Sequence, residues 1–383
     1  MTRRHSCART NVRQLTALLL VVPLLACAPP DPVDQDAAAT ISVEQRMGST
    51  PDPGFARALE PRIFLFPTDH GAHPEFATEW WYFTGNLSSA DDERFGYQLT
   101  LFRVGLKPGE PAGDSGWRSH QLYMGHLAIS DIARGRHHSS ERFSRAAAGL
   151  AGATREPLRI WLGPWSIEGS GTALFPLRLR AETPQMAIDL QVQAGHRPMV
   201  LQGDRGLSQK GAAPGNASYY YSYTRLPTRG EIRLGDRQLT VVGNSWFDRE
   251  WSSSALAEDQ AGWDWFALQL DDDRDLMFYR MRDKQGQAQR FSKGVLVQAD
   301  GTMLPLSLDD VALTTLGEWR SDDGVAYPTR WRLQIPGHAI DLRVDAAFDD
   351  QEMRHTVRSW EGAVVVSGSH SGVGYLELSG YAR

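Results

Sequence analysis

Cysteine is nearly missing from this chain: Cys7 and Cys27 are the only two, and both lie within the first 27 residues. The body of the protein therefore has no thiols for a disulfide framework or an iron–sulfur cluster. Positive charge is also scarce: 40 Lys and Arg stand against 46 Asp and Glu, with no basic run outside the extreme N-terminus. Nucleic acid is not an expected partner of such a surface. A βαβ rhythm is absent, which disfavours a Rossmann sheet or a barrel of alternating strands and helices. What is present, 383 residues of which 41% are hydrophobic and 22% charged, excludes a disordered chain and leaves room for two packed cores.

The N-terminus reads as an address. Arg3, Arg4, Arg9 and Arg13 precede an apolar run from Leu15 to Leu25, and Leu24-Leu25-Ala26-Cys27 follows the pattern of a bacterial lipobox. The run is too short for a spanning helix. The reading is a lipoprotein signal peptide over residues 1–26, with Cys27 lipidated as the new first residue; an ordinary signal peptide with an incidental Cys is the alternative. Several acyl chains on one residue anchor a protein stably without a transmembrane helix. Loss of the four signal arginines shifts the formal charge from −6 to −10. Ala28, rather than an Asp, follows the Cys, so the expected location is the bacterial cell envelope, on the outer membrane facing the periplasm. Residues 27–61, rich in Pro, Asp, Ala and Thr, read as a flexible tether that holds the body ~30 Å from the bilayer.

Past residue 62 the dominant signal is alternation with period two. Met186, Ile188, Leu190 and Val192 alternate with polar or small residues, as do Ile340, Leu342 and Val344. Gly235-Asp236 and Asp300-Gly301 mark hairpin turns between such runs. Only Ser140 to Gly152, with three consecutive alanines, hints at a short helix. A weak internal repeat is visible: Trp80, Phe83 and Leu87 share the spacing of Trp263, Phe266 and Leu270, and each segment leads through an acidic turn to an aromatic strand carrying Arg103 or Arg280. The expected fold is all-β, with two tandem antiparallel β-barrels over residues 62–254 and 255–383.

Three strings in this order, FPTDHGAHPEFATEWWYFTGNL (66–87), GNSWFDREW (243–251) and GWDWFALQLDDDRDLMFYRMRD (262–283), resemble the AttH-type proteins and, more distantly, the carotenoid 1,2-hydratases. The resemblance implies two lipocalin-like domains packed together with an apolar cavity, and some family members are encoded beside ABC-type transporter components. It also implies two candidate activities, a carotenoid hydratase-like lyase or a predicted secreted hydrolase. The hydratases protonate an isoprenoid double bond and let water capture the cation, with no cofactor. They carry a His near the position of Arg249, a Trp near Trp251, and a Tyr followed closely by Asp near Tyr279. Here Arg249 replaces the His, and the nearest acid after Tyr279 is Asp283.

Such chemistry needs an acid kept neutral by apolar surroundings and aromatic faces to stabilise a cation. Asp248, Glu250 and Asp264 are the candidate acids, with Arg249 tuning their charge. Trp246, Trp251, Trp263, Trp265 and Tyr279 are the candidate ligand contacts, joined by Glu79, Trp81 and His126. Core packing for the tryptophans, and a structural ion-pair network for 248–250, are the plain alternatives. The stretch from Asp69 to Glu75 carries two His and two carboxylates, but Pro74 opposes a helical metal motif, and a loop capping a barrel is the better reading; no metal and no cofactor are expected. Gly243-Asn244-Ser245-Trp246-Phe247 and Gly368-Ser369-His370-Ser371-Gly372 both miss the Gly-x-Ser-x-Gly elbow. The functional expectation is a lipid-anchored protein binding an apolar isoprenoid or lipid-like small molecule, with or without acid–base chemistry. The rival is a non-enzymatic carrier or accessory lipoprotein of an ABC-type transporter.

Overall fold

The computed structural model describes residues 53–382 except 114, 254 and 255. The signal segment and Cys27 lie outside the described residues. The first sheet is built from β1 (Thr78–Ser89), β2 (Arg94–Gly105), β3 (Gln121–Asp131), β4 (Arg136–Arg145), β5 (Ala151–Thr154), β6 (Arg159–Leu162), β7 (Trp165–Gly169), β8 (Leu177–Glu182), β9 (Met186–Val192), β10 (Val200–Leu201), β11 (Leu207–Gln209), β12 (Ala217–Leu234) and β13 (Arg237–Ser252). The second is built from β14 (Gln260–Leu270), β15 (Asp275–Asp283), β16 (Lys293–Val297), β17 (Met303–Ser307), β18 (Ala312–Arg320), β19 (Ala326–Ile335), β20 (Ile340–Ala346), β21 (Glu352–Arg354), β22 (Arg358–Gly368) and β23 (Gly372–Ser379).

The strand orders explain the internal repeat. The first sheet runs β4-β3-β2-β1-β13-β12-β9-β8-β7-β6-β5, and the second runs β17-β16-β15-β14-β23-β22-β20-β19-β18. In both, the opening strand sits centrally, pairing with the next strand on one side and with the last strand of its sheet on the other. WWYFTGNL on β1 and WDWFALQL on β14 thus hold equivalent places. The first sheet curls into a nearly closed barrel around Trp81, Phe83, Trp165 and Phe247. The second forms a more open half-barrel around Phe266, Trp331 and Trp360. This is the expected all-β, tandem barrel architecture.

Strands at the centre of each sheet are buried on both faces. On β1, β13, β14 and β15 one set of alternate residues fills a barrel, and the other set meets the opposite sheet in a third cluster containing Tyr82, Tyr220, Trp246, Trp265, Met277 and Tyr279. These strands therefore read as continuous aromatic runs, whereas β9, with one face in solvent, keeps strict alternation.

Two local expectations change. Ser140 to Gly152 is not helical: β4 runs to Arg145 along β3, and Ala148 and Gly149 turn the chain at φ 50° and 73°, a left-handed conformation that breaks a helix. Free tether also ends before Pro61. Phe55 and Ala58 are buried, the Ala58 N–H donates to Ser253 Oγ at 2.5 Å, and Tyr219 donates to the Glu60 carbonyl at 2.8 Å. An aromatic anchor thus docks residues 55–60 on the first barrel.

Candidate active site between the two sheets

Side chains leaving the outer faces of β1, β2, β12 and β13 meet those of β14, β15, β22 and β23 across a cleft. Its first chamber, about 80 Å³, is walled by Trp80, Tyr82, Phe102, Tyr220, Trp263, Trp265 and Tyr279, with Asp248, Glu250, Glu361, Glu377 and Lys210 as its charged groups. A second chamber of about 70 Å³ continues past Phe102 and Trp263 to Met124, His126 and Val357. Glu361 and Glu377 border both chambers.

Asp248 is nearly fully buried on the cleft face of β13. Trp246 Nε1 donates to its Oδ1 at 2.7 Å, and Tyr220 Oη donates to its Oδ2 at 2.5 Å. Burial pushes the Asp248 carboxyl up to about 7, outweighing the hydrogen bonds from Ser222, Tyr220 and Trp246 that favour its ionised form. An indole N–H only donates, so Oδ1 is committed as an acceptor and the proton of the neutral acid belongs on Oδ2, beside the Tyr220 hydroxyl. Glu250, two residues on and on the same face, is ion-paired with Lys210 Nζ at 3.0 Å. Burial opposes the Lys210 charge, but Glu250 and Tyr279 outweigh it and raise the ammonium above its ordinary range. Lys210 also lies 4.5 Å from the Tyr279 ring centroid and 5.2 Å from that of Tyr220. Tyr279 closes this wall through a 2.8 Å hydrogen bond with Ser208 Oγ.

Sequence and structure comparisons meet on one group. The sequence matches the AttH-like family over residues 57–381. A crystal structure of an AttH from Nitrosomonas europaea is 31% identical, with a TM-score of 0.77 over 86% of this chain and 100% of that one. The chain belongs to the AttH-like family. Kievitone hydratase from Nectria haematococca, 16% identical, superposes with a TM-score of 0.65 over 86% of this chain and 98% of its own, a likeness of fold. No curated protein matches the sequence.

In this AttH-like protein the period-two geometry of strands divides the candidate residues among three places. Asp248, Glu250, Trp263, Trp265 and Tyr279 come together in the first chamber, and Trp246 joins them in the cluster behind it through its bond to Asp248. His126 lines the second, its Nε2 3.0 Å from Glu141 Oε1.

Arg249, Trp251, Glu79 and Trp81 face the interior of the first barrel instead. Glu79 is fully buried between Arg103 and Arg249, and the His73 N–H donates to both its oxygens at 3.0 Å. Burial alone raises the Glu79 carboxyl, yet the Arg103 and Arg249 guanidiniums override it and hold the group far below the carboxylate range. Arg249 lies 4.1 Å from the Trp81 ring centroid, and the His73 ring stacks on Trp251 at 3.9 Å. Arg249 also donates to the Gly71 carbonyl at 2.6 Å, and Asp69 receives His73 Nε2 at 3.1 Å. The Asp69–Glu75 stretch is thus a cap clamped onto the barrel end. Arg249 does not join Asp248 and Glu250, because consecutive strand residues point to opposite faces.

Asp264 is likewise not in the cleft. It faces the second half-barrel, accepting from Arg280 Nε at 2.7 Å, Arg282 Nε at 3.1 Å and Tyr381 Oη at 2.7 Å. Asp264→Asn leaves two arginines without their carboxylate and is expected to cost about 3 kcal/mol, read as a lowered midpoint in thermal unfolding.

Sequence reasoning missed Lys210, Glu361 and Glu377, and gave Tyr82 and Phe102 no place in the site. Glu377 stands between Leu376 and Leu378, and Glu361 follows Trp360. A lone acid inside an apolar strand was the available signal; nothing local marks Lys210. Among the described residues no three His, Cys, Asp or Glu side chains are grouped to hold a metal ion.

Proposed function

We propose that this protein takes an apolar, unsaturated isoprenoid or lipid-like molecule into the cleft and protonates a carbon–carbon double bond from Asp248. The observation that carries the reading is a carboxyl held near neutral pKa by burial and bordering a chamber walled by tryptophan and tyrosine rings. At neutral pH a fraction of Asp248 is the acid, and proton transfer to the alkene gives a cation stabilised by the faces of Tyr220, Trp263 and Trp265. Glu250, ion-paired with Lys210, supplies a base for the attacking water. No cofactor enters this scheme.

The decisive test is native mass spectrometry of residues 28–383 purified from the native host, followed by organic extraction. An unsaturated apolar ligand at near-unit stoichiometry, converted by the wild type and at least a hundredfold more slowly by Asp248→Asn, is the expected result. A ligand that binds but returns unchanged from both proteins leaves a carrier. An empty protein that binds no such molecule overturns the reading.

We propose further that Cys27 carries the membrane anchor. Mass spectrometry of the mature N-terminus is expected to find a diacylglyceryl-modified Cys27, and Cys27→Ser to release the protein from washed membranes.

A further inference from the structure

Asp248 has a counterpart in the second sheet. Phe83 pairs with Phe247 across β1 and β13, and Phe266 pairs with Leu376 across β14 and β23. One residue further along, Asp248 and Glu377 occupy matching positions, both facing the cleft. Each accepts an indole N–H, Asp248 from Trp246 at 2.7 Å and Glu377 from Trp263 at 2.9 Å. The equivalence breaks on the adjacent strand. Asp248 lies opposite Ser222, but Glu377 lies opposite a second acid, Glu361.

Directly opposed residues of an antiparallel pair have Cβ atoms about 4.5–5.5 Å apart, and like charges there repel. Among the described residues no Lys or Arg is ion-paired with either glutamate. Tyr82 donates to Glu361 Oε2 at 3.1 Å, and Ser359 to Oε1 at 3.1 Å. The other titratable groups facing the pair are Tyr375 from β23, His126 from β3, and Asp248 and Glu250 from β13. Burial, then the charge of Glu361, push Glu377 well above the carboxylate range, and burial raises Glu361 as well. Two such carboxyls cannot both ionise cheaply. The pair also stands where the two chambers join, whereas Asp248 borders the first alone.

We propose that Glu361 and Glu377 share one proton and form a second acid–base centre, so that the cleft moves a proton along an unsaturated hydrocarbon instead of adding water. This rests on the reading of Asp248 as the acid. The Asp248 O–H bond breaks and a C–H bond forms with the alkene π pair, leaving a cation. A C–H bond next to the cationic carbon then breaks, its electron pair restores a double bond one position along, and the proton passes to the ionised carboxylate of the pair. The substrate is isomerised with no gain or loss of atoms, and exchange with solvent returns the proton to Asp248.

The test has two arms. In the first, 2-methyl-1-undecene is incubated with the protein in D₂O. The wild type is expected to give the 2-ene isomer carrying deuterium, Glu361→Gln and Glu377→Gln to lose that product about a hundredfold, and Asp248→Asn to give no deuterated product. A tertiary alcohol as the wild-type product, formed equally by both glutamine variants, overturns this inference while leaving Asp248 as the acid. Loss of neither product in Asp248→Asn removes the underlying reading. The second arm needs no substrate: carboxyl ¹³C NMR of the wild type is expected to show two well-separated titration steps for the pair, and each glutamine variant a single step between them. A Glu377 step unmoved by Glu361→Gln means that no proton is shared, and the inference falls.

Discussion

Glu79→Gln is expected to destabilise the protein by about 3–5 kcal/mol, seen as a lower urea midpoint at pH 7. The substitution preserves shape and removes only charge. Arg103 and Arg249 are both nearly fully buried and both bind this carboxylate, so its loss strands two guanidiniums in the barrel and loosens the His73 cap they hold. The pH dependence gives an internal check. The folded-state pKa of Glu79 is depressed, so its contribution is fully present above the ordinary value of 4.5 and is lost as pH falls towards the folded value. The gap between wild type and variant should therefore shrink under acid. A constant gap from pH 7 to pH 3 would show that packing, and not charge, is what Glu79 provides.

Asp248→Asn is expected to act in the opposite direction on stability. Asp248 is raised from 3.8 to about 7 by burial, so the folded protein holds a proton that the unfolded chain releases. Its stabilising effect is complete below about pH 4 and is lost as pH rises through 7. The wild type consequently gives up an amount on the order of a few kcal/mol between pH 4 and pH 8. Asn keeps an acceptor for Trp246 and has no charge to bury. The variant should match the wild type near pH 4.5 and be the more stable protein at pH 8.5, by denaturant unfolding at the two values. Under the proposed function the same variant is the one expected to end proton transfer in the cleft. Equal stabilities at pH 8.5 would place the Asp248 pKa near its ordinary value and remove the acid from the proposal.

The two glutamates and Asp248 illustrate how far local sequence carries. Trp246, Asp248, Glu250, Trp263 and Trp265 stood out because acids are interleaved with aromatics on strands; four of them line one chamber, and Trp246 packs behind it, holding Asp248. Arg249 and Asp264 stood out for the same reason and lie elsewhere. Their neighbours in sequence are not their neighbours in space, since successive strand residues diverge to opposite faces. Where both faces are buried, hydrophobicity does not distinguish the barrel interior from the cleft, and β13 and β14 are buried on both.

The sequence by itself determined the class of the fold and the repeat of its two halves, because period-two burial, turn residues and the WWYF and WDWF spacing are local properties of the chain. It also marked Asp248, Glu250, Trp263, Trp265 and Tyr279 as groups from which a site is made, but not Glu361, Glu377 or Lys210. Only the tertiary structure decided which of them meet. Asp248 and Glu377 lie more than a hundred residues apart on different sheets. They face one cleft because the outer face of β1, β2, β12 and β13 packs against that of β14, β15, β22 and β23, and the burial that makes these carboxyls weak acids exists only once that interface has closed.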